Sequence, residues 1–132
     1  MSESANHKRL VELVIKYVED KVGCDYVCFI ETDISDEHSL PQMTEEGFRP
    51  DVFFEYNGIM IIGEAKTSDD IMRKHSLCQY ISYLRKCSLY TGNAEFVIAV
   101  PWFDQASANN ILKKLRSDIP GDYSIKVLKG ML

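Results

Sequence analysis

The spacing of apolar residues changes several times along this chain, and each change predicts a new element. From 5 to 22, Leu10, Leu13, Val14, Tyr17 and Val18 alternate with Arg9, Glu12, Lys16, Glu19 and Asp20. That periodicity predicts an amphipathic helix, capped by Ser4 or Asn6 and stopped at Gly23. Tyr26 to Glu31, aromatic and β-branched, reads as a strand. Thr32 to Arg49 has no period, contains Pro41 and Gly47, and carries two acidic clusters. A connection of that length is expected to be a mobile, functional loop.

The stretch that follows, RPDVFFEYNGIMIIGEAK from Arg49 to Lys66, carries the sharpest local signal. Asn57-Gly58 between two apolar runs predicts a two-residue type I′ hairpin, because both central residues must take positive φ. The register then follows: Tyr56 faces Ile59, Glu55 faces Met60, Phe54 faces Ile61, and further out Asp51 faces Glu64. Side chains alternate with period two, so Lys66 shares the face of Glu64. Phe53, Met60 and Ile62 lie on one face, and Val52, Phe54, Ile59 and Ile61 on the other. Strands apolar on both sides are expected to be covered on both sides. Two carboxylates placed opposite each other repel, and such a pair invites a hard divalent cation between them.

Beyond the hairpin, Thr67-Ser68-Asp69-Asp70 offers caps for a helix from Ile71 to Tyr90. Leu77, Cys78, Ile81, Leu84 and Arg85 line one side of it, and Thr91-Gly92-Asn93 ends it. Glu95 to Pro101 reads as a buried strand. Asp104 to Ser117 reads as a helix capped by Asp104, with Ile111, Leu112 and Leu115 inward. Tyr123 to Leu128 makes a final strand after a Pro120-Gly121 turn. Trp102 is expected to pack under the last helix, with stacking on a base as the other use of its ring. The order α-β-β-β-α-β-α-β predicts an α/β fold with a mixed sheet flanked by helices.

Composition adds limits. At 132 residues the chain is expected to form one domain, and 45% hydrophobic with 27% charged residues is ordinary for a soluble protein. A net charge of −5 does not advertise a nucleic-acid binder. The acidic residues are concentrated, however. Asp25, Glu31, Asp33, Asp36, Glu37, Glu45 and Glu46 share a window without Lys or Arg, while Lys66, Arg73, Lys74, Arg85, Lys86, Lys113, Lys114 and Arg116 come later. No apolar run approaches a membrane span, and the first residues lack a signal-peptide layout. The expectation is a cytoplasmic protein without a membrane partner. Cys24, Cys28, Cys78 and Cys87 form no CxxC pair and are expected to be buried free thiols. His7 and His38 have no zinc-ligand spacing, and there is no phosphate-cradling glycine loop or nucleophile–base motif.

Pro50-Asp51, an intervening hairpin, and Glu64-Ala65-Lys66 within an αβββαβ order resemble the signature of the PD-(D/E)xK nuclease superfamily. That group includes restriction-endonuclease-like and Holliday-junction-resolvase-like enzymes, and the resemblance covers residues 5–101. It implies a Mg²⁺-dependent endonuclease acting on DNA, with Mn²⁺ able to substitute. Asp51, Glu64 and the backbone carbonyl of Ala65 would be metal ligands, and Lys66 would assist the attacking water. The family often adds a first-helix acid, for which Glu12 is the first candidate and Glu19 its competitor. A family subset carries Q-x-x-x-Y on the next helix, matched here by Gln79, whose amide would bond the attacking water or a phosphate, and Tyr83, whose phenol would back it at the substrate, while Lys74 and His75 would approach the DNA backbone. A homodimer or a larger nuclease complex is implied for duplex cutting, with RNA and single-stranded DNA open as substrates. The reading from a different class is a non-catalytic nuclease-fold subunit used for binding or assembly.

Overall fold

The first helix forms as its spacing predicts. In the computed structural model, which describes residues 4–131, α1 covers Ala5–Val22. Ser4 accepts a hydrogen bond from the His7 backbone N–H at 3.1 Å, satisfying one of the orphan donors of the first turn. Gly23 leaves the helix at φ 89°, a conformation that glycine adopts without strain. The next segment departs from expectation. Cys24–Phe29 is a 3₁₀ helix with no buried residue, and the strand shrinks to β1, Glu31–Thr32. Its aromatic rings are used on the outside, where Phe29 and Tyr56 stack at 4.3 Å. Cys24, Cys28 and Cys78 are therefore exposed, and only Cys87 is the buried thiol expected of all four.

The hairpin follows the predicted register residue for residue. β2 is Val52–Tyr56 and β3 is Ile59–Ala65. They pair antiparallel from Tyr56↔Ile59 to Val52↔Gly63. Asn57 and Gly58 sit at φ 56° and 79°, as a type I′ turn requires. The sheet continues with β4, Asn93–Pro101, parallel to β3, and β5, Tyr123–Gly130, parallel to β4. Strand order is β1-β2-β3-β4-β5. The fold is thus α/β with a mixed five-stranded sheet flanked by helices.

The parallel pairs require crossovers, supplied by α2, Lys74–Leu89, and α3, Gln105–Asp118. Both lie on one face of the sheet, over Phe53, Met60, Ile62, Phe96 and Ile98. α1 covers the other face, with Leu10, Val11, Val14 and Val18 against Val52, Phe54, Ile61 and Val97. Its last turns are held by Glu95, which accepts from Tyr17 Oη and Lys21 Nζ, each at 2.9 Å.

Helix α2 starts later than its caps suggested. Asp70 N–H donates to Thr67 C=O at 2.9 Å and Thr67 Oγ1 to Asp70 Oδ2 at 3.3 Å, so this pair spends its hydrogen bonds on a local turn rather than on a cap. The buried side of α2 also differs from the apolar stripe. It carries Ser76, Gln79, Tyr80, Ser82, Tyr83, Leu84 and Cys87, whereas Arg85 and Cys78 are exposed. The long 32–49 connection, expected to be mobile, is pinned at several points. Thr32 N–H donates to Ser39 C=O at 2.9 Å, Ser82 Oγ to Thr44 Oγ1 at 2.7 Å, and Arg49 to the Pro41 carbonyl.

Gly63 sets how closely α1 can approach. A Cβ at 63 would overlap Val14 Cγ1 and stand 3.1 Å from Val52 Cβ, and neither branched side chain has room to turn away. Gly63→Ala is expected to destabilise the fold by about 1–3 kcal/mol through overpacking. The shift would be read as a fall in the urea midpoint. Val14→Ala in the same chain should recover part of that loss, because the two sites share one contact.

Candidate active site

The register of β2 and β3 delivers Asp51 and Glu64 to the same place. The ladder ends at Val52↔Gly63, and the next step sets Asp51 beside Glu64. Each carboxylate is tied to the backbone of the other strand. Asp51 N–H donates to Glu64 Oε1 at 3.3 Å, and Ala65 N–H donates to Asp51 Oδ2 at 2.9 Å. These bonds orient both groups while leaving lone pairs on their oxygens.

Lys66 completes the trio on the same face. Its Nζ lies 3.3 Å from Glu64 Oε2 and donates to Gln79 Oε1. The β3 strand is extended at this point by Lys66 N–H donating to Ala99 C=O at 3.0 Å, which anchors the lysine to β4. Gln79 arrives from the second turn of α2. Glu64 is only 3% exposed. Burial, and then the neighbouring charge of Asp51, push its carboxyl up to about 8, against the opposing pull of Lys66. Tyr83, one turn after Gln79, is fully buried. Desolvation and then the charges of Glu64 and Asp51 raise its pKa. Its hydroxyl lies within reach of Glu64 and Gln79, without a well-aligned hydrogen bond to either.

The remaining candidates divide. Lys74 and His75 occupy the exposed first turn of α2, with the His75 ring edge-on to Phe48 at 5.5 Å. Tyr83, expected at the substrate, is instead enclosed behind Gln79. Glu12 is exposed and lines a surface groove with Lys8, Lys16, Glu19 and His38. It is not brought to the carboxylate pair. The first-helix residue that is brought there is His7, whose Nε2 lies 3.4 Å from Asp51 Oδ2. Five residues advance a helix by about 140° around its axis, so His7 and Glu12 cannot serve one site. The usable signal for His7 was its place at the head of the stripe His7, Val11, Val14, Val18, at helical intervals on the face that packs on the sheet.

Among the described residues, no three His, Cys, Asp or Glu side chains form a ready-made metal cluster. The pair alone fits a Mg²⁺-type ion, which takes one or two carboxylates and fills its other positions with water and substrate oxygens. The raised Glu64 pKa supports this fit, since a divalent cation would relieve the repulsion that burial and Asp51 impose on its ionised form. No protein-family model, curated protein or solved structure matches this chain.

The Glu64 shift has a definite sign in stability. With the folded value near 8 and the ordinary value 4.5, the folded state binds the extra proton between those limits. Stability contributed by this group is therefore present below about pH 4.5 and is lost as pH rises through about 8. Glu64→Gln removes the ionisation. In chelator, its melting temperature relative to wild type should climb steadily from pH 5 to pH 8. A difference that stays flat with pH would show that Glu64 ionises freely.

Proposed function

We propose that this protein is a metal-dependent nuclease of the PD-(D/E)xK kind that hydrolyses phosphodiester bonds in DNA. The observation that carries the reading is the Asp51–Glu64 pair with Lys66 bonded to both Glu64 and Gln79. A buried arrangement of two acids and an amine is costly to fold, and no structural task in this sheet requires it.

Asp51 and Glu64, with the Ala65 carbonyl beside them, would hold Mg²⁺ or Mn²⁺, and His7 is placed to support Asp51. Such an ion supplies charge neutralisation at the phosphate and a more acidic water. The chain's own groups do the rest. Lys66, fixed between Glu64 and Gln79, presents its ammonium to the attacking water and to the charge that grows on the phosphate. Gln79 holds Lys66 in place through its amide oxygen, and its amide nitrogen remains a donor. Tyr83 and Tyr80 close the floor behind them and keep bulk water out.

The sheet edge suits an anionic substrate. β3 and β4 end here and feed α2 and α3, so both helices begin at this edge, and the His7–Asp51 contact brings the start of α1 to it as well. Helix N-termini carry partial positive charge, so the local field at this edge favours an anion more than the chain's net −5 suggests. Ligands of open α/β sheets are characteristically met at the carboxyl ends of the parallel strands. Among the described residues no helix is long and apolar enough to cross a membrane. Cleavage of both strands of a duplex would call for two copies of the site.

The test is cleavage of plasmid, branched and single-stranded DNA with Mg²⁺, with Mn²⁺ and with chelator. Wild type should cut only with metal. Asp51→Ala should abolish cutting, and Lys66→Ala should slow it by about 10²–10⁴-fold, the usual scale for a positioned proton-transfer group. Cutting of equal rate in all three proteins would refute the assignment. Inertness of wild type on every substrate would favour a nuclease-fold subunit that binds without cleaving.

A further inference from the structure

Trp102 and Phe103 do not pack under α3. They stand in a 3₁₀ turn, Trp102–Asp104, between β4 and α3, and are 56% and 58% exposed. The two rings meet edge to face, with centroids 5.6 Å apart and planes at 87°. The turn is tied to the β3–α2 loop by Ser68 Oγ donating to Asp104. It is also tied to the site in sequence: Trp102 is three residues beyond Ala99, the residue whose carbonyl accepts from Lys66 N–H. Three extended residues span at most about 11 Å. The rings therefore lie within reach of nucleotides that neighbour a phosphate at Lys66.

We propose that Trp102, braced by Phe103, is a stacking platform for an unpaired base next to the scissile phosphate. The substrate would then be single-stranded DNA or a duplex with a frayed or branched strand. This rests on the nuclease reading of the Asp51 site and adds the substrate class to it.

Three observations support the choice of occupant. Base–aromatic stacking needs an open base face, which a base inside a duplex lacks and an unpaired base offers. Affinity for duplex comes chiefly from neutralising phosphates, and a chain of net charge −5 is poorly equipped for that. Stacking does not depend on the chain's charge, so it adds to whatever grip the phosphate contacts give. Finally, the other exposed aromatic pair, Phe29 and Tyr56, is stacked face to face at 9°, each ring covering the other, and lies at the turn end of the hairpin. The perpendicular pair is the one beside the site.

The chain contains a single tryptophan, so its fluorescence reports on Trp102 alone. Wild type in chelator is titrated with a single-stranded oligodeoxynucleotide and with the blunt duplex of the same sequence. Emission should be quenched by the single strand and not by the duplex. Binding of a labelled single strand, followed by anisotropy, should weaken about 5- to 150-fold in Trp102→Ala, the range expected for loss of one stacked base. Trp102→Phe should restore most of it, and an unchanged thermal melt separates lost stacking from lost folding. Unquenched emission with the single strand, or equal quenching by duplex, would overturn the platform. Because no metal is present, the outcome is independent of cleavage. Quenching in a protein that never cuts would leave the platform standing and the nuclease reading refuted. Metal-dependent cutting without quenching would do the reverse.

Discussion

Everything at the carboxyl edge of this sheet depends on one constraint, the enforced proximity of the Asp51 and Glu64 carboxylates. A two-residue turn at Asn57-Gly58 leaves the hairpin no freedom to slip, because a one-residue shift would turn every apolar side chain to the wrong face. Phe53, Met60 and Ile62 must meet α2 while Val52, Phe54 and Ile61 meet α1. With that satisfied, the two acids have nowhere else to go. The backbone N–H groups of Asp51 and Ala65 then hold each carboxylate in a fixed orientation. Lys66, 3.3 Å from Glu64, and the proton that Glu64 keeps below about pH 8 relieve part of the repulsion.

The neighbouring helix shows what this arrangement asks of its surroundings. The buried side of α2 is assembled from Ser76, Gln79, Tyr80, Ser82 and Tyr83 as well as Leu84 and Cys87. A helix chosen for packing alone would place aliphatic residues there. Gln79 has to reach Lys66, and the tyrosine rings fill the core while their hydroxyls face polar neighbours. The Tyr80 hydroxyl donates to the Ile71 carbonyl at 2.9 Å; the Tyr83 hydroxyl faces Glu64 and Gln79. Local departure from optimal packing at a site, compensated by a well-packed sheet elsewhere, is the pattern expected of a functional centre.

The far ends of the elements do the compensating. α1 is drawn against the sheet over Gly63 and clasped at its end by Glu95, Tyr17 and Lys21. That attachment carries His7, at the opposite end of the same helix, to Asp51. The long connection before β2 is pinned to α2 through Thr44 and Ser82, so Asp51 emerges from a tethered segment. The same edge gathers helix starts and an exposed aromatic turn. Under the proposed function, a phosphate-bearing strand would find helix starts, the Asp51 and Glu64 oxygens and a ring face together.

The sequence by itself determined the hairpin, its register and hence the Asp51–Glu64–Lys66 trio, because a turn signal and a period of two are local and rigid. It also determined most helices and the two-sided burial of the sheet, which follow from periodicity. Tertiary structure decided what local spacing could not express. Tyr26–Glu31 had strand composition, but its rings pack on the outside of the hairpin and only Glu31–Thr32 joins the sheet. The buried face of α2 was misread because its residues are amphipathic, and only contact with Lys66 shows that Gln79 points inward. Glu12 and His7 were both available on α1, and the choice fell to the helix's rotation on the sheet, set by where Val11, Val14 and Val18 pack. Trp102 was expected inside and stands outside, because β4 ends at Pro101 and the 3₁₀ turn that follows faces solvent before α3 begins.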